Sequence, residues 1–242
     1  MKKKLLTLLL TTALILSALA LSSCDPNGGA GDGEADPYLI LVNKQNALGA
    51  DYVPEELVDV DTAYTTGGKE IQLNKTALEA VIKMLDAMKA DGITNVTITS
   101  AYRTYEYQKR LFDGYIAAEA EAHPDWSAEK VREKVLSYSA APGTSEHQTG
   151  LCVDLFTTEM EGLYNYGSET PKNPYDKGFA ETKAYEWLCE NAHKYGFILR
   201  FPENKTDVTG YSYESWHYRY VGVDAATEIY KKGITLEEYL DK

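Results

Sequence analysis

The chain has 242 residues, 44% hydrophobic and 25% charged, with three cysteines. That composition excludes a collagen-like repeat, low-complexity disorder and a disulfide-built miniprotein, and implies one core-forming domain. The formal charge of −13, from 37 acids against 24 bases, excludes a nonspecific grip on nucleic acid, which requires a basic stripe to displace counterions.

Lys2, Lys3 and Lys4 precede an uncharged run over residues 5–21, the pattern of an export signal. Leu21-Ser22-Ser23-Cys24 resembles the bacterial lipobox, in which the peptide is cut before the cysteine and the thiol is acylated. The competing readings are an ordinary signal peptide or a single membrane span, for which the run is about long enough. The Gly/Asp/Pro/Asn-rich stretch after Cys24 is a flexible tether. The expected organisation is therefore a lipoprotein signal peptide at 1–23, a tether at 24–36 and a domain at 37–242, extracytoplasmic and lipid-anchored to the cell membrane through Cys24. Removing residues 1–23 deletes three lysines and no acid, taking the formal charge from −13 to −16. Cys152 and Cys189 remain, either as a disulfide or as two small hydrophobes.

Within the domain, Thr76-Ala77-Leu78-Glu79 has capping-box spacing and opens an amphipathic helix that stops at Gly92. Residues 93–100 alternate as a half-buried strand, with Val96 and Ile98 on one side. A second helix is predicted from about Thr104, carrying Leu111, Phe112 and Tyr115 inward, and a third over 128–138. Residues 151–156 read as a short apolar strand, followed by a Tyr/Gly/Asn/Pro-rich loop to about 177. A helix with Ala184, Trp187, Leu188, Ala192 and Tyr195 on one face closes at Gly196. Strands are predicted at 197–201 and 213–220, and a last helix after Thr235-Leu236-Glu237-Glu238 should pack Tyr239 and Leu240 onto the domain. Helices first and strands late favour an α+β fold, N-terminal helices packed on a small, mainly antiparallel sheet.

Two of the four histidines sit in loaded surroundings. Ser145-Glu146-His147-Gln148-Thr149-Gly150-Leu151-Cys152-Val153-Asp154 brings a histidine out of a loop and sets an aspartate into an apolar strand. Alternation turns Leu151, Val153 and Leu155 to one face and Asp154, beside Cys152, to the other. A carboxylate there is costly unless it meets a cation or a metal. Glu214-Ser215-Trp216-His217-Tyr218-Arg219-Tyr220 supplies a second histidine with a carboxylate three positions earlier. Two imidazoles and one carboxylate suit a catalytic zinc ion with an open fourth position, leaving Glu214 as a proton acceptor. Taken singly, Glu214 reads equally as a solvated charge and His217 as a packed core histidine. There is no HExxH, so the helix-borne zincin arrangement is excluded.

Ser100-Ala101-Tyr102-Arg103-Thr104 with Gln108, Ser145-x-His147-x-x-Gly150-x-x-x-Asp154, and Glu214-x-Trp216-His217-Tyr218-Arg219 together resemble the VanY-type zinc D-alanyl-D-alanine carboxypeptidases, whose fold is shared with Hedgehog signalling domains. The resemblance implies one Zn2+ held by His147, Asp154 and His217, with Glu214 as general base and Arg103 steadying the substrate oxyanion. It places Ser145 and Gln108 near the substrate. Arg103 has an independent rationale, since it stands where a strand turns into a helix and a guanidinium can reach developing negative charge; otherwise it is a surface ion pair. Cys152 stands where the family often has alanine, and is read as packing rather than as a competing ligand. His123 and His193 are read as surface residues.

The expected function is removal of the terminal D-alanine from peptidoglycan stem peptides by a metal-activated water, in a monomer. The alternatives are an L,D-carboxypeptidase or endopeptidase of the same fold, and a noncatalytic zinc-containing cell-wall-binding module.

Overall fold

The computed structural model describes residues 36–160 and 178–241. The signal-peptide, lipidation and tether expectations, and most of the loop before residue 178, lie outside the described residues. A short hairpin of β1 (Leu57–Asp59) and β2 (Gln72–Asn74) leads into α1 (Lys75–Ala90). Asn74, not Thr76, caps that helix: its side-chain oxygen accepts from the N–H groups of Thr76 and Ala77. The hydroxyl of Thr76 instead accepts from Tyr38 at 3.0 Å. β3 (Val96–Ser100) follows, then the helical hairpin α2 (Tyr105–Ala122) and α3 (Ala128–Leu136), capped by Thr104 and Ser127.

The inward face of α2 is narrower than its pattern implied. Phe112 and Gln108 are buried, but Leu111 is half-buried and Tyr115 is 42% exposed, resting edge-on against Tyr138. The physical reason is that α2 packs chiefly against α3 rather than against the sheet, so only a thin stripe is covered.

β4 (Cys152–Thr157), α4 (Lys183–Asn191), β5 (Phe197–Leu199), the single turn α5 (Thr206–Thr209) and β6 (His217–Tyr220) complete the central part. The strand expected from residue 213 begins only at His217, because 213–216 are consumed by a turn closed by the His217 N–H on the Glu214 carbonyl at 3.3 Å. A helix that the sequence pattern did not reveal, α6 (Val223–Lys232), precedes α7 (Leu236–Leu240). Its buried side chains are Ala225, Ala226 and Ile229, and the two alanines give little periodic signal. The capping box at Thr235 and Glu238 is formed, and Tyr239 and Leu240 pack on the domain as expected.

The main sheet is antiparallel in the order β3-β4-β6-β5. On one face Ile98, Val153, Leu155 and Tyr218 join Val81, Met84, Leu85 and Met88 of α1 and Leu188 of α4 in the core. The pleat sends Cys152, Asp154, His217 and Arg219 to the other face. Register then places Asp154 opposite His217, Cys152 opposite Arg219 and Ser100 opposite Asp154. Cys152 and Cys189 are both free thiols, the first buried and the second exposed.

Candidate active site

His147 stands on a one-turn 3-10 helix, Glu146–Thr149, that ends at Gly150 with φ of +67°. A Cβ at Gly150 would come within 3.0 Å of Leu57 and 3.3 Å of Pro54, so glycine is required there by both backbone conformation and space. The His147 carbonyl accepts the Arg103 N–H at 3.1 Å, which fixes the two motif loops against each other. The His147 Nδ1 atom lies 2.6 Å from the carbonyl oxygen of Ala101. That contact requires the proton on Nδ1 and leaves the Nε2 lone pair facing inward.

Asp154 is the hub. His147 Nε2 lies 3.2 Å from its Oδ2 and His217 Nδ1 lies 3.1 Å from its Oδ1, and the two imidazole rings are perpendicular with centroids 5.0 Å apart. Two inward-facing ring nitrogens around a buried carboxylate repel it unless a cation stands between them. His147 thus approaches one carboxylate oxygen and His217 the other, each at close to the roughly 3.3 Å that separates neighbouring ligand atoms in a tetrahedral site with bonds of about 2.0–2.1 Å. Asp154 Oδ1 is moreover buried without a hydrogen-bond partner among the described residues. These three side chains fit a divalent metal.

Without metal, protons do that work. Burial and Arg103 oppose the charge of His147, but Asp154 and Cys152 prevail and push it up to about 9. His217 is raised well above its ordinary value against the same burial, by Cys152, Asp154 and Glu146. Asp154 is held well below the carboxylate range by the imidazoles and Arg103 despite its burial.

Glu214 and His217 are brought side by side by the turn described above, with Glu214 Oε2 3.6 Å from His217 Nδ1. Burial pushes the Glu214 carboxyl up to about 7, with Asp154 adding to the rise. Arg103 donates to Asp154 Oδ2 at 2.8 Å and to Ser100 Oγ at 2.9 Å. The side chains of His147 and His217 are 4% exposed, whereas Glu214 is 16% and Arg103 22% exposed, so a substrate meets the base and the guanidinium from the open side.

Gln108 lies beneath Arg103, its Nε2 donating to Ala140 at 2.8 Å and its Oε1 at 3.4 Å from Arg103. Both ends of the amide are engaged within the protein. Ser145 is buried at the start of the His147 turn, and its side chain does not cap that turn. Cys152 is closer to the site than its packing role required: ligand atoms of His147, Cys152 and His217 all lie within 4.8 Å of one another. Burial opposes its thiolate, yet the two imidazoles bring it down to about 7. His123 stacks on Trp126 and His193 on Tyr230, both away from the site.

Three charged residues near the site, two of them inside the sequence motifs and one, Arg200, outside them, carried no signal strong enough to single them out. Glu146, Arg200 and Arg219 form a fully buried charge cluster behind His217. The available signal was Arg219 alternating in phase with His217 on a strand otherwise made of tyrosines.

The VanY model, D-alanyl-D-alanine carboxypeptidase, matches residues 70–223. The chain belongs to this family. A relative in Enterococcus faecalis named D-alanyl-D-alanine carboxypeptidase is 39% identical over 208 residues, covering 86% of this chain and 67% of the relative. Among solved structures, the LdcB LD-carboxypeptidase superposes with a TM-score of 0.66 at 37% identity over 84% of this chain and 85% of that one. A variant of the vancomycin-resistance D,D-pentapeptidase VanY in complex with Zn(II) gives 0.65 at 37% identity over 84% of this chain and 99% of that one. The α+β architecture is thus that of the VanY family, and this member is a carboxypeptidase.

Proposed function

We propose that this VanY-family carboxypeptidase is a zinc-dependent D,D-carboxypeptidase that removes the terminal D-alanine from peptidoglycan stem peptides. The observation that carries the reading is the convergence of His147, Asp154 and His217 at 3.1–3.2 Å, with Glu214 on the open side. His147 Nε2, an Asp154 oxygen and His217 Nδ1 would hold the ion. When bound, zinc would supply Lewis acidity, lowering the pKa of a coordinated water toward about 7 and polarising the scissile carbonyl.

Glu214 accepts the proton of the attacking water and passes it to the departing amine. Burial raises the Glu214 carboxyl above its ordinary value in the metal-free protein. Arg103 donates to the substrate oxygen as it gains negative charge, an interaction that is stronger in the transition state than in the ground state. Ser100 and Gln108 orient the guanidinium, so Gln108 acts on a substrate through Arg103, and Ser145 is left as the candidate to meet a stem peptide.

Replacing Glu214 by Gln should keep one zinc per chain and lower kcat by at least 10²-fold; undiminished D-alanine release by that variant overturns the role. A second reading, hydrolysis of tetrapeptide stems as an L,D-carboxypeptidase, is favoured by the likeness to LdcB at the same identity as to VanY. Mass analysis of products from synthetic pentapeptide and tetrapeptide stems separates the two.

The lipid anchor at Cys24 and an extracytoplasmic location complete the proposal, supported by Lys2–Lys4, the apolar run and the Leu-Ser-Ser-Cys end. Fatty-acid labelling of the full chain should be lost in Cys24→Ala; retained label overturns it.

A further inference from the structure

Glu146 is a carboxylate with no route to solvent, wedged between two guanidiniums. Its Oε1 accepts from Arg200 Nε at 2.7 Å and from Arg219 Nη1 at 2.9 Å. Both arginines are 0% exposed, and each is fixed elsewhere. Arg200 forks onto Glu237 of α7 at 2.8 and 2.6 Å. Arg219 donates to the carbonyls of Tyr38 and Ile40 and, through Nε, to that of Tyr220. All the bonding of Glu146 to this cluster uses Oε1. Its Oε2 is buried with no hydrogen-bond partner among the described residues, and so is His217 Nε2, and the two atoms face each other at 3.5 Å.

That distance is long for a hydrogen bond, yet each atom supplies what the other lacks. The opposite nitrogen of the same ring, Nδ1, faces Asp154 and Glu214. A neutral imidazole carries one proton, and the nitrogen that keeps it decides which one can bind a metal. We propose that Glu146 is a positioning residue: clamped by Arg200 and Arg219, its Oε2 accepts the Nε2–H of His217 and leaves the Nδ1 lone pair aimed at the metal. The Ala101 carbonyl does the complementary job for His147, holding the proton on Nδ1 and freeing Nε2. The two imidazoles are thereby set in opposite tautomers, one by backbone and one by a buried carboxylate.

This inference rests on the zinc reading above, and the test separates the two. With four histidines in the chain, 15N-imidazole spectra are assignable by single substitutions at His123 and His193. In zinc-loaded wild type, His217 should show metal-shifted Nδ1 and a slowly exchanging proton on Nε2. Glu146→Asp keeps the charge between the arginines but withdraws the oxygen from His217, and should weaken zinc binding, measured by chelator competition, about 10- to 100-fold. Glu146→Gln should weaken it likewise and speed exchange of the Nε2 proton. Glu237→Gln, which loosens Arg200 without touching His217, should lower Tm while leaving zinc affinity within about twofold of wild type.

Zinc on His217 Nε2 with the proton on Nδ1 overturns the proposal. So does unchanged zinc affinity in both Glu146 variants, with the metal-centre reading left standing. Should both variants fail to fold, the wild-type spectrum alone decides. Zinc that leaves His147 and His217 unmoved in wild type sinks the metal-centre reading and this inference together.

Discussion

The two faces of the β4–β6 pair are equally dry and are held together by opposite means. Val153, Leu155 and Tyr218 lie in the core with α1 and α4 at no more than 1% exposure; the first two contribute packed hydrocarbon, and Tyr218 adds its ring while its hydroxyl is buried without a hydrogen-bond partner among the described residues. Cys152, Asp154, His217 and Arg219 on the reverse face are at most 6% exposed, yet three of the four carry or accept charge. Burial therefore does not distinguish a core from a site. The distinction lies in what a lost partner costs: removing a methylene group leaves a cavity, whereas removing one member of a buried charge set strands the others without solvation.

The strongest way to test that contrast is on the charged face. Asp154→Asn should reduce zinc affinity by more than about 10²-fold and carboxypeptidase activity to background, measured by metal analysis and D-alanine release; a variant that keeps stoichiometric zinc breaks the comparison. Arg103→Lys keeps the charge but loses the guanidinium fork. It should cost about 10²-fold in kcat with zinc content unchanged, and equal losses in KM alone would move Arg103 from transition-state to ground-state binding. On the apolar face, Leu155→Ala should cost about 2–5 kcal/mol of stability by denaturant titration, while kcat per folded, zinc-loaded molecule stays within about twofold.

pH sharpens the same contrast. In the metal-free protein His147 binds its proton more tightly folded than unfolded, at about 9 against 6.5. That contribution to stability is fully present below about 6.5 and is lost as pH rises through about 9. The metal-free Tm should fall across that window, and the Tm gain on adding zinc should grow, since zinc needs the neutral imidazole. A gain that shrinks with rising pH would show that the imidazoles are not the ligands.

The smallest effect is expected at Cys152. Cys152→Ala should leave zinc affinity and activity within about threefold, and cobalt-substituted wild type should lack a sulfur-to-metal charge-transfer band. Such a band would add the thiolate as a fourth ligand and close the position a water needs.

Sequence alone picked out the candidate site residues and most of the elements that carry them. His147, Asp154, Glu214 and His217 stand out because ionisable residues interrupt strands and tight turns whose neighbours are apolar or aromatic. The periodicities of α1, α4 and β4 are local properties of the chain, so they were legible; α6, with two alanines on its buried face, was not.

Tertiary structure alone decided everything that depends on register. The pairing of Asp154 with His217 and of Cys152 with Arg219 is a relation between segments sixty or more residues apart, and no local pattern encodes it. The same is true of the capture of Glu146 by Arg200 and Arg219. The physical reason is that charge buried in a low-dielectric interior is tolerated only where a specific partner arrives in space, and arrival is set by how strands pair rather than by which residues they contain.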